Sequence, residues 1–154
     1  MALAYVGLGS NLGDRERTLR RALELLADLP GVDLVTVSRF RDTDPVGYED
    51  QPRFLNAVAA LETTLPPREL LDRLLAVERE LGRTRGGPRF GPRTIDLDLL
   101  LHGDRVVDEP GLTVPHPRLH ERAFVLEPLA ELDPHLVVPG RGPVEALLAE
   151  IHSR

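Results

Sequence analysis

The sequence predicts an α+β fold in which helices pack on one face of an antiparallel sheet, the ferredoxin-like arrangement, followed by a C-terminal extension. Two observations predict it. Strand-like and helix-like patterns follow one another as β-α-β twice along the chain, as the split units of this arrangement require. The chain also has 154 residues, 42% of them hydrophobic, which suffices for a core of ordinary size. We therefore expect residues 1–154 to form one domain.

The first β-α-β unit begins with a buried strand, predicted by the apolar run ALAYVGLG at residues 2–9. Asp14 follows a turn and can cap a helix, because its carboxylate can accept hydrogen bonds from the free N–H groups of the first turn. Apolar residues at helical spacing predict a helix that ends at Pro30, namely Leu19, Ala22, Leu23 and Leu26. Residues 33–40 alternate as a strand. Residues 41–53 have the composition of a long loop, a kind of segment that often carries function.

The second unit repeats this order. Residues 54–63 predict a strand, and Pro66 and Pro67 suit the start of a helix, where a missing N–H costs little. An apolar stripe defines that helix as far as Gly82, formed by Leu70, Leu71, Leu74, Val77 and Leu81. An irregular loop at residues 83–92 leads into the last strand, at residues 93–103. Beyond it, the pattern predicts a short hairpin, a brief helix and a final helix, which form the C-terminal extension.

Composition excludes several classes of function. The chain carries a net charge of −6 without a broad basic stretch, which argues against a nucleic acid partner. Its basic side chains are all arginine, so it cannot contain a P-loop lysine, and the absence of cysteine excludes disulfides and thiolate metal sites. No apolar run approaches the roughly 20 residues that span a bilayer, and the start MALAYVGLGSN lacks the basic residues of a signal peptide. We expect a cytoplasmic monomer with no membrane partner.

The stretch RTIDLDLLLHG places two acidic side chains together on an apolar strand. Strand alternation puts Thr94, Asp96, Asp98 and Leu100 on one face, and Ile95, Leu97, Leu99 and Leu101 on the other. The two carboxylates would repel each other unless a cation lies between them. Their Cα atoms would lie roughly 6.6 Å apart, so both could reach one cation or a pair of cations about 4 Å apart. Oxygen donors favour Mg²⁺ or Mn²⁺. The alternative is a solvated strand face with two incidental acids.

An arginine-rich loop precedes this strand. Its glycines permit close backbone approach, and planar guanidinium groups match phosphate oxygens bidentately. The loop therefore predicts a lid over a polyphosphate, with an exposed basic loop that pairs with surface acids as the alternative. The arginines are Arg83, Arg85, Arg89 and Arg93.

Three other groups of residues leave alternatives open. Phe54 and Asn56 share one face of a strand and suit a flat heterocycle, although Phe54 also fits an ordinary core position. His116 and His120 have the spacing of a metal pair on a helix, but prolines flank His116, which favours a hydrogen bond from His116 to phosphate instead. GSNLGD lacks the spacing of a nucleotide-binding motif and is interpreted as a turn with a helix cap.

Taken together, these residues resemble those of the 6-hydroxymethyl-7,8-dihydropterin pyrophosphokinase family. The resemblance lies in GLGSNLGD, DQPRFLNAV, ERELGRTR, FGPRTIDLDLLL and LTVPHPRLHERAFVLEPL, which follow the order of the family and cover nearly the whole chain. It implies an ATP- and Mg-dependent diphosphokinase with a ferredoxin-like fold. Such an enzyme transfers pyrophosphate from ATP to the hydroxymethyl group of the pterin in folate biosynthesis and releases AMP. A non-catalytic ligand-binding module and a two-metal phosphohydrolase are the alternatives.

The resemblance also implies roles for individual residues. Two Mg²⁺ ions would bind Asp96 and Asp98, and the catalytic set is Arg83, Arg93, Asp96 and Asp98. The ATP site would comprise Glu78, Arg85, Arg89, Phe90, Arg93, Leu99, Thr113, His116 and Arg122. The pterin would contact Thr43, Pro45, Val46, Phe54, Asn56, Phe90 and Phe124. The chain departs from the family at Phe54 and Phe90, where some relatives have Tyr and Trp, and at Asp44 and Gly111, where proline and a basic residue are common.

Overall fold

The computed structural model describes residues 1–44, 52–82 and 95–153. Its main sheet is antiparallel throughout, with strand order β2-β4-β1-β5 and with β3 also paired to β4. The strands are β1 (Ala2–Ser10), β2 (Val32–Val37), β3 (Arg41–Thr43), β4 (Phe54–Thr63), β5 (Asp96–His102), β6 (Val107–Glu109), β7 (Leu112–Val114), β8 (Val137–Val138) and β9 (Gly142–Pro143). The helices are α1 (Arg15–Ala27), α2 (Pro67–Glu80), α3 (Ala123–Leu132) and α4 (Val144–His152), with a 3-10 turn at Leu119–Glu121.

Helices α1 and α2 pack on one face of the sheet, as the two predicted units require. Asp14 caps α1 by accepting a hydrogen bond from the backbone N–H of Arg17, at 3.1 Å. Proline at the first position of α2 sacrifices no intrahelical bond. The apolar stripes of both helices meet the sheet in one core, and each leucine removed from water there contributes about 2 kcal/mol. Its members include Leu19, Leu26, Leu70, Leu74, Val6, Leu8 and Leu61.

The opposite face of the sheet carries a second helical layer, which differs from the prediction that helices cover one face only. Tyr5, Val58 and Leu100 point to this side and form a second core with α3 and α4. The α+β class and the antiparallel sheet are confirmed. The difference arises because the C-terminal extension supplies the helices of the second layer, and the local pattern of the extension does not indicate which face it will cover.

Strand β5 departs from simple alternation through a β-bulge. Val6 pairs with Leu99 and Tyr5 pairs with Leu101, so Leu100 is an extra residue between them. As a result, Leu101 joins Leu100 in the second core, and the prediction that Leu101 shares a face with Leu99 is wrong. The bulge lies after the two aspartates, whose alternation is therefore unaffected.

The segment predicted as a loop at residues 41–53 contains a strand. Arg41 pairs with Asn56 and Thr43 pairs with Phe54, so β3 extends the sheet alongside the start of β4. Pairing with a strand that is already in place outweighs the turn-like composition. The preceding strand, predicted at residues 33–40, spans Val32–Val37. The predicted arginine loop at residues 83–92 lies outside the described residues.

None of the helices in the described parts of the chain is long and apolar enough to cross a membrane.

Candidate active site

A pocket opens where β1, β4 and β5 meet the start of α3. Its base is largely apolar, and two aspartates of β5 lie at one side of it. It is lined by Gly7, Leu8, Gly9, Thr43, Asp44, Phe54, Asn56, Ala57, Val58, Asp96, Asp98, Leu100, Arg122, Phe124 and Val125. The pocket thus combines an apolar and aromatic part, suited to a flat organic ring, with a charged part, suited to phosphate and metal ions.

Two glycines of β1 form part of the pocket wall. Gly9 pairs with Asp96 and Gly7 pairs with Asp98, so each glycine lies directly beside an aspartate. A Cβ atom on Gly9 would lie 2.7 Å from the Oδ1 atom of Asn56, a distance that real Cβ atoms do not adopt. Gly9 therefore provides the space that Asn56 occupies. Sequence reasoning missed both glycines as site residues, although their spacing of two on a strand could have indicated a shared face.

The aromatic part of the pocket is formed by Phe54 and Phe124, which come from β4 and α3. Asn56 lies beside them and donates a hydrogen bond from Nδ2 to the hydroxyl of Thr43. This bond leaves the Oδ1 atom of Asn56 as the acceptor for a ligand. The structure therefore brings together four of the residues predicted to contact the pterin. Pro45, Val46 and Phe90, which share that prediction, lie outside the described residues.

The two aspartates of β5 are held from the side of α2. The Oε2 atom of Glu78 accepts a hydrogen bond from the backbone N–H of Leu97 at 2.8 Å. Leu97 lies between Asp96 and Asp98, which are both half-buried, whereas Glu78 is only 2% exposed. Glu78, predicted at the ATP site, thus has its carboxylate in the protein interior, against the backbone of the aspartate strand.

A second groove lies beside β5 and shares Asp98 with the pocket. It contains Thr113 and His116 and is bordered by Leu99, three of the residues predicted to contact ATP. Its full lining is Leu71, Leu97, Asp98, Leu99, Gly111, Leu112, Thr113, His116 and Pro117. Three residues predicted to contact ATP thus lie in a groove that meets the aromatic pocket at the carboxylate of Asp98, whereas Arg122, also predicted to contact ATP, lines the pocket itself.

Burial determines the charge of His116. Burial, together with the positive charges of Arg122 and Arg118, lowers its pKa from 6.5 to about 4, so the imidazole is neutral near pH 7. Its Nδ1 atom accepts a hydrogen bond from the backbone N–H of Arg118 at 3.2 Å. The ring proton is therefore on Nε2, where His116 can donate to an anionic ligand.

Arg122 connects the aromatic and acidic parts of the pocket. Its guanidinium carbon lies 5.5 Å from the ring centroid of Phe124. Burial lowers the pKa of Arg122, while the carboxylates of Asp98 and Asp96 counteract that effect, which places its charge near both aspartates. Arg122 remains a cation, because the pKa of an arginine side chain is far above neutrality before burial lowers it.

The residues present fit a magnesium ion. The described ranges contain no group of three or more His, Asp or Glu side chains that could hold a metal without help from a substrate. Asp96 and Asp98 offer carboxylate oxygens in one pocket. Such a pair suits Mg²⁺, which prefers oxygen ligands, retains water and commonly completes its coordination with substrate phosphates. The other predicted phosphate ligands, Arg83, Arg85, Arg89 and Arg93, lie outside the described residues.

Comparison with known proteins relates this site to a family. A crystal structure of a Plasmodium falciparum HPPK-DHPS triple mutant shares the fold, with a TM-score of 0.80 and 16% identity over 99% of this chain and 44% of that chain. The 2-amino-4-hydroxy-6-hydroxymethyldihydropteridine pyrophosphokinase of Bacillus subtilis is 52% identical over 130 residues, which are 84% of this chain and 77% of the relative. The Pseudomonas aeruginosa enzyme of the same name is 50% identical over 145 residues, 94% and 89% of the two chains. Residues 5–134 match the 7,8-dihydro-6-hydroxymethylpterin-pyrophosphokinase family, and the chain belongs to that family.

Proposed function

We propose that this chain transfers the pyrophosphoryl group of ATP to the hydroxymethyl group of 6-hydroxymethyl-7,8-dihydropterin, giving the pterin diphosphate and AMP. Family membership establishes the reaction class, pyrophosphate transfer in folate biosynthesis. One observation carries the finer assignment: Asp98 lines both the aromatic pocket and the groove along β5. An acceptor in the pocket and a donor in the groove would therefore meet at the aspartate pair.

The pocket suits the pterin. A pterin is flat and heteroaromatic, so Phe54 and Phe124 can stack on it. Its amino group and ring N–H are hydrogen-bond donors, which match the Oδ1 atom of Asn56 that the bond to Thr43 leaves available. Thr43 thereby orients the amide of Asn56, and the aromatic side chains exclude water from the ring.

The groove suits the phosphates of ATP. Neutral His116 can donate from Nε2 to a phosphate oxygen, and Thr113 adds a hydroxyl in the same groove. Arg122 supplies a positive charge near the two carboxylates. In the proposed reaction, the pterin hydroxyl oxygen bonds to the β-phosphorus. The bond from that phosphorus to the oxygen bridging the α- and β-phosphates breaks, AMP leaves with that oxygen, and the hydroxyl proton passes to solvent.

Asp96 and Asp98 would hold two Mg²⁺ ions, or Mn²⁺ in their place. Once bound, these ions would neutralise phosphate charge and lower the pKa of the attacking hydroxyl. The resemblance of the sequence adds Arg83 and Arg93 as stabilisers of the charge on the leaving oxygen, and Arg85, Arg89 and Phe90 as further ATP contacts. We also propose one domain over residues 1–154, because both depressions lie beside strands of the main sheet. The cytoplasmic location and the monomeric state expected from the sequence are kept as part of the proposal.

A nucleotide product assay tests the proposal. Protein, ATP, Mg²⁺ and the pterin are incubated together, with controls that lack either the pterin or the metal. The proposal predicts AMP in an amount equal to the pterin consumed, and only when all components are present. ADP or phosphate formed without the pterin would instead indicate a phosphohydrolase, and nucleotide binding without turnover would indicate a binding module.

Substitution of the carboxylates tests the site. Asp96→Ala and Asp98→Ala should each lower kcat by at least about a hundredfold, because each removes a ligand of the Mg²⁺ ions that would neutralise the transferred phosphates. Each variant should keep a melting temperature close to that of the wild type without ligands, since the repulsion relieved between the two carboxylates offsets the attraction to Arg122 that is lost. Wild-type turnover in both variants would contradict the assignment.

A further inference from the structure

The first residue of α1 is bonded to both chain segments that lead into the pocket. The Nη1 atom of Arg15 donates to Oδ1 of Asp42 at 2.6 Å and to the backbone carbonyl of Arg53 at 3.0 Å. Asp42 directly precedes Thr43, and Arg53 directly precedes Phe54. One guanidinium nitrogen is thus hydrogen-bonded to the two residues that directly precede Thr43 and Phe54 in the pocket wall.

Other bonds reinforce this junction. The Nδ2 atom of Asn11 donates to the carbonyl of Pro52 at 3.1 Å. Arg53 donates from Nη2 to the backbone carbonyl of Asp42 at 3.3 Å, and its Nε atom lies 3.2 Å from Oδ1 of Asp44. Asn11, Arg15, Asp42 and Arg53 together join the start of α1 to both β3 and the start of β4.

Strand β3 needs such support. It has only three residues, and within the described ranges its strand pairing is to β4 alone. So short a strand is marginal by itself. Its last residue, Thr43, pairs with Phe54 and accepts the hydrogen bond that orients Asn56. A shift of β3 would therefore move Thr43 away from Phe54 and release the amide of Asn56.

We propose that Arg15 is a positioning residue for the pterin half of the site, acting through Asp42 and the carbonyl of Arg53 on Thr43, Asn56 and Phe54. The inference rests on the proposed function, which names the pterin as the ligand of this pocket. Arg15 and Asp42 are 30% and 47% exposed, and ion pairs so exposed contribute little to global stability. Loss of Arg15 should therefore affect the position of β3 more than the folding of the chain.

Steady-state kinetics of Arg15→Met test this role, because methionine keeps the aliphatic part of the side chain and removes the donors. With ATP saturating, KM for the pterin should rise about three- to tenfold, the factor expected for loss of a partly exposed hydrogen bond. We expect kcat and KM for ATP to stay at wild-type values. The matched control is Arg21→Met, which removes an arginine of the same helix whose ion pair with Glu24, at 2.9 Å, is exposed. This control should change neither KM.

Exchanging the charges of Arg15 and Asp42 provides a second test of the positioning role. Arg15→Asp alone should raise KM for the pterin, and the double variant Arg15→Asp with Asp42→Arg should recover at least part of the loss, because the pair is restored in reverse. Pterin binding is also measured by calorimetry on the same proteins, so the inference can be judged even without turnover.

The outcomes separate the two proposals. Wild-type KM and Kd for the pterin in Arg15→Met would overturn the positioning role. A general defect, in which kcat and the melting temperature fall and both KM values rise together, would also overturn it. The proposed function would fail separately, if the wild-type protein produced no pterin-dependent AMP.

Discussion

At the scale of single residues, the pocket depends on the absence of a side chain at Gly9. Gly9→Ala would place a methyl group 2.7 Å from Oδ1 of Asn56, and that amide is already held by Thr43. We expect pterin binding to weaken about tenfold or more, because the overpacked amide must move away from its ligand-binding position. Isothermal calorimetry with the pterin measures the effect.

Gly7→Ala is the matched control for that experiment. A Cβ atom there would lie 3.5 Å from the side chain of Leu100, an ordinary van der Waals contact. The two substitutions add the same atom two residues apart on the same face of β1, so they differ mainly in what that atom meets. Equal losses of affinity in both variants would contradict the specific role of Gly9.

Individual residues of the pocket differ in whether the sequence predicts their role. Asp96, Asp98 and Asn56 are predicted as site residues from their side-chain chemistry, and Phe54 from the family resemblance, because its spacing also fits the core. The structure brings all four into one pocket. Gly9 carries no such signal, because the need for glycine arises from Asn56 on the neighbouring strand, a partner 47 residues further along the chain.

At the scale of secondary-structure elements, the aspartate strand depends on its contact with α2. Glu78→Ala would leave the backbone N–H of Leu97 without its carboxylate acceptor in a buried place. Loss of that hydrogen bond should lower the free energy of unfolding by about 1–3 kcal/mol. It should also raise the Mg²⁺ concentration needed for half-maximal activity, because Asp96 and Asp98 flank the freed peptide.

Urea denaturation and a magnesium titration measure the two effects of this variant. Glu80→Ala is the control, since it removes an exposed glutamate from the end of the same helix. An unchanged magnesium requirement in Glu78→Ala would show that α2 stabilises the fold without positioning the carboxylates.

At the scale of the whole molecule, burial of His116 makes stability depend on pH. Its pKa is about 4 in the folded protein and 6.5 when the side chain is fully solvated, so the folded state binds fewer protons between these values. Stability without ligands should therefore decrease as pH falls from 6.5 towards 4, by at most about 3 kcal/mol from this group, and less because His116 is partly exposed. Chemical denaturation at pH 7 and pH 5 measures the loss.

The variant His116→Gln isolates the contribution of this histidine. Glutamine does not titrate, so the variant should lose less stability than the wild type between the two pH values. His152→Gln, at an exposed position on α4, is the control and should retain the pH dependence of the wild type. Identical pH dependence in His116→Gln and the wild type would contradict the assignment.

The types and order of the main elements follow from local patterns in the chain, since hydrophobic periodicity and helix caps are local properties. The acidic pair on β5 and the resemblance of the chain to a family are also visible in the sequence alone. Three further features become visible in the folded chain: α3 and α4 cover the second face, β3 pairs with β4, and the pocket and the groove meet at Asp98. The physical reason is that a pattern along the chain shows which face is apolar, whereas the segment that covers it is chosen by contacts between residues far apart in sequence.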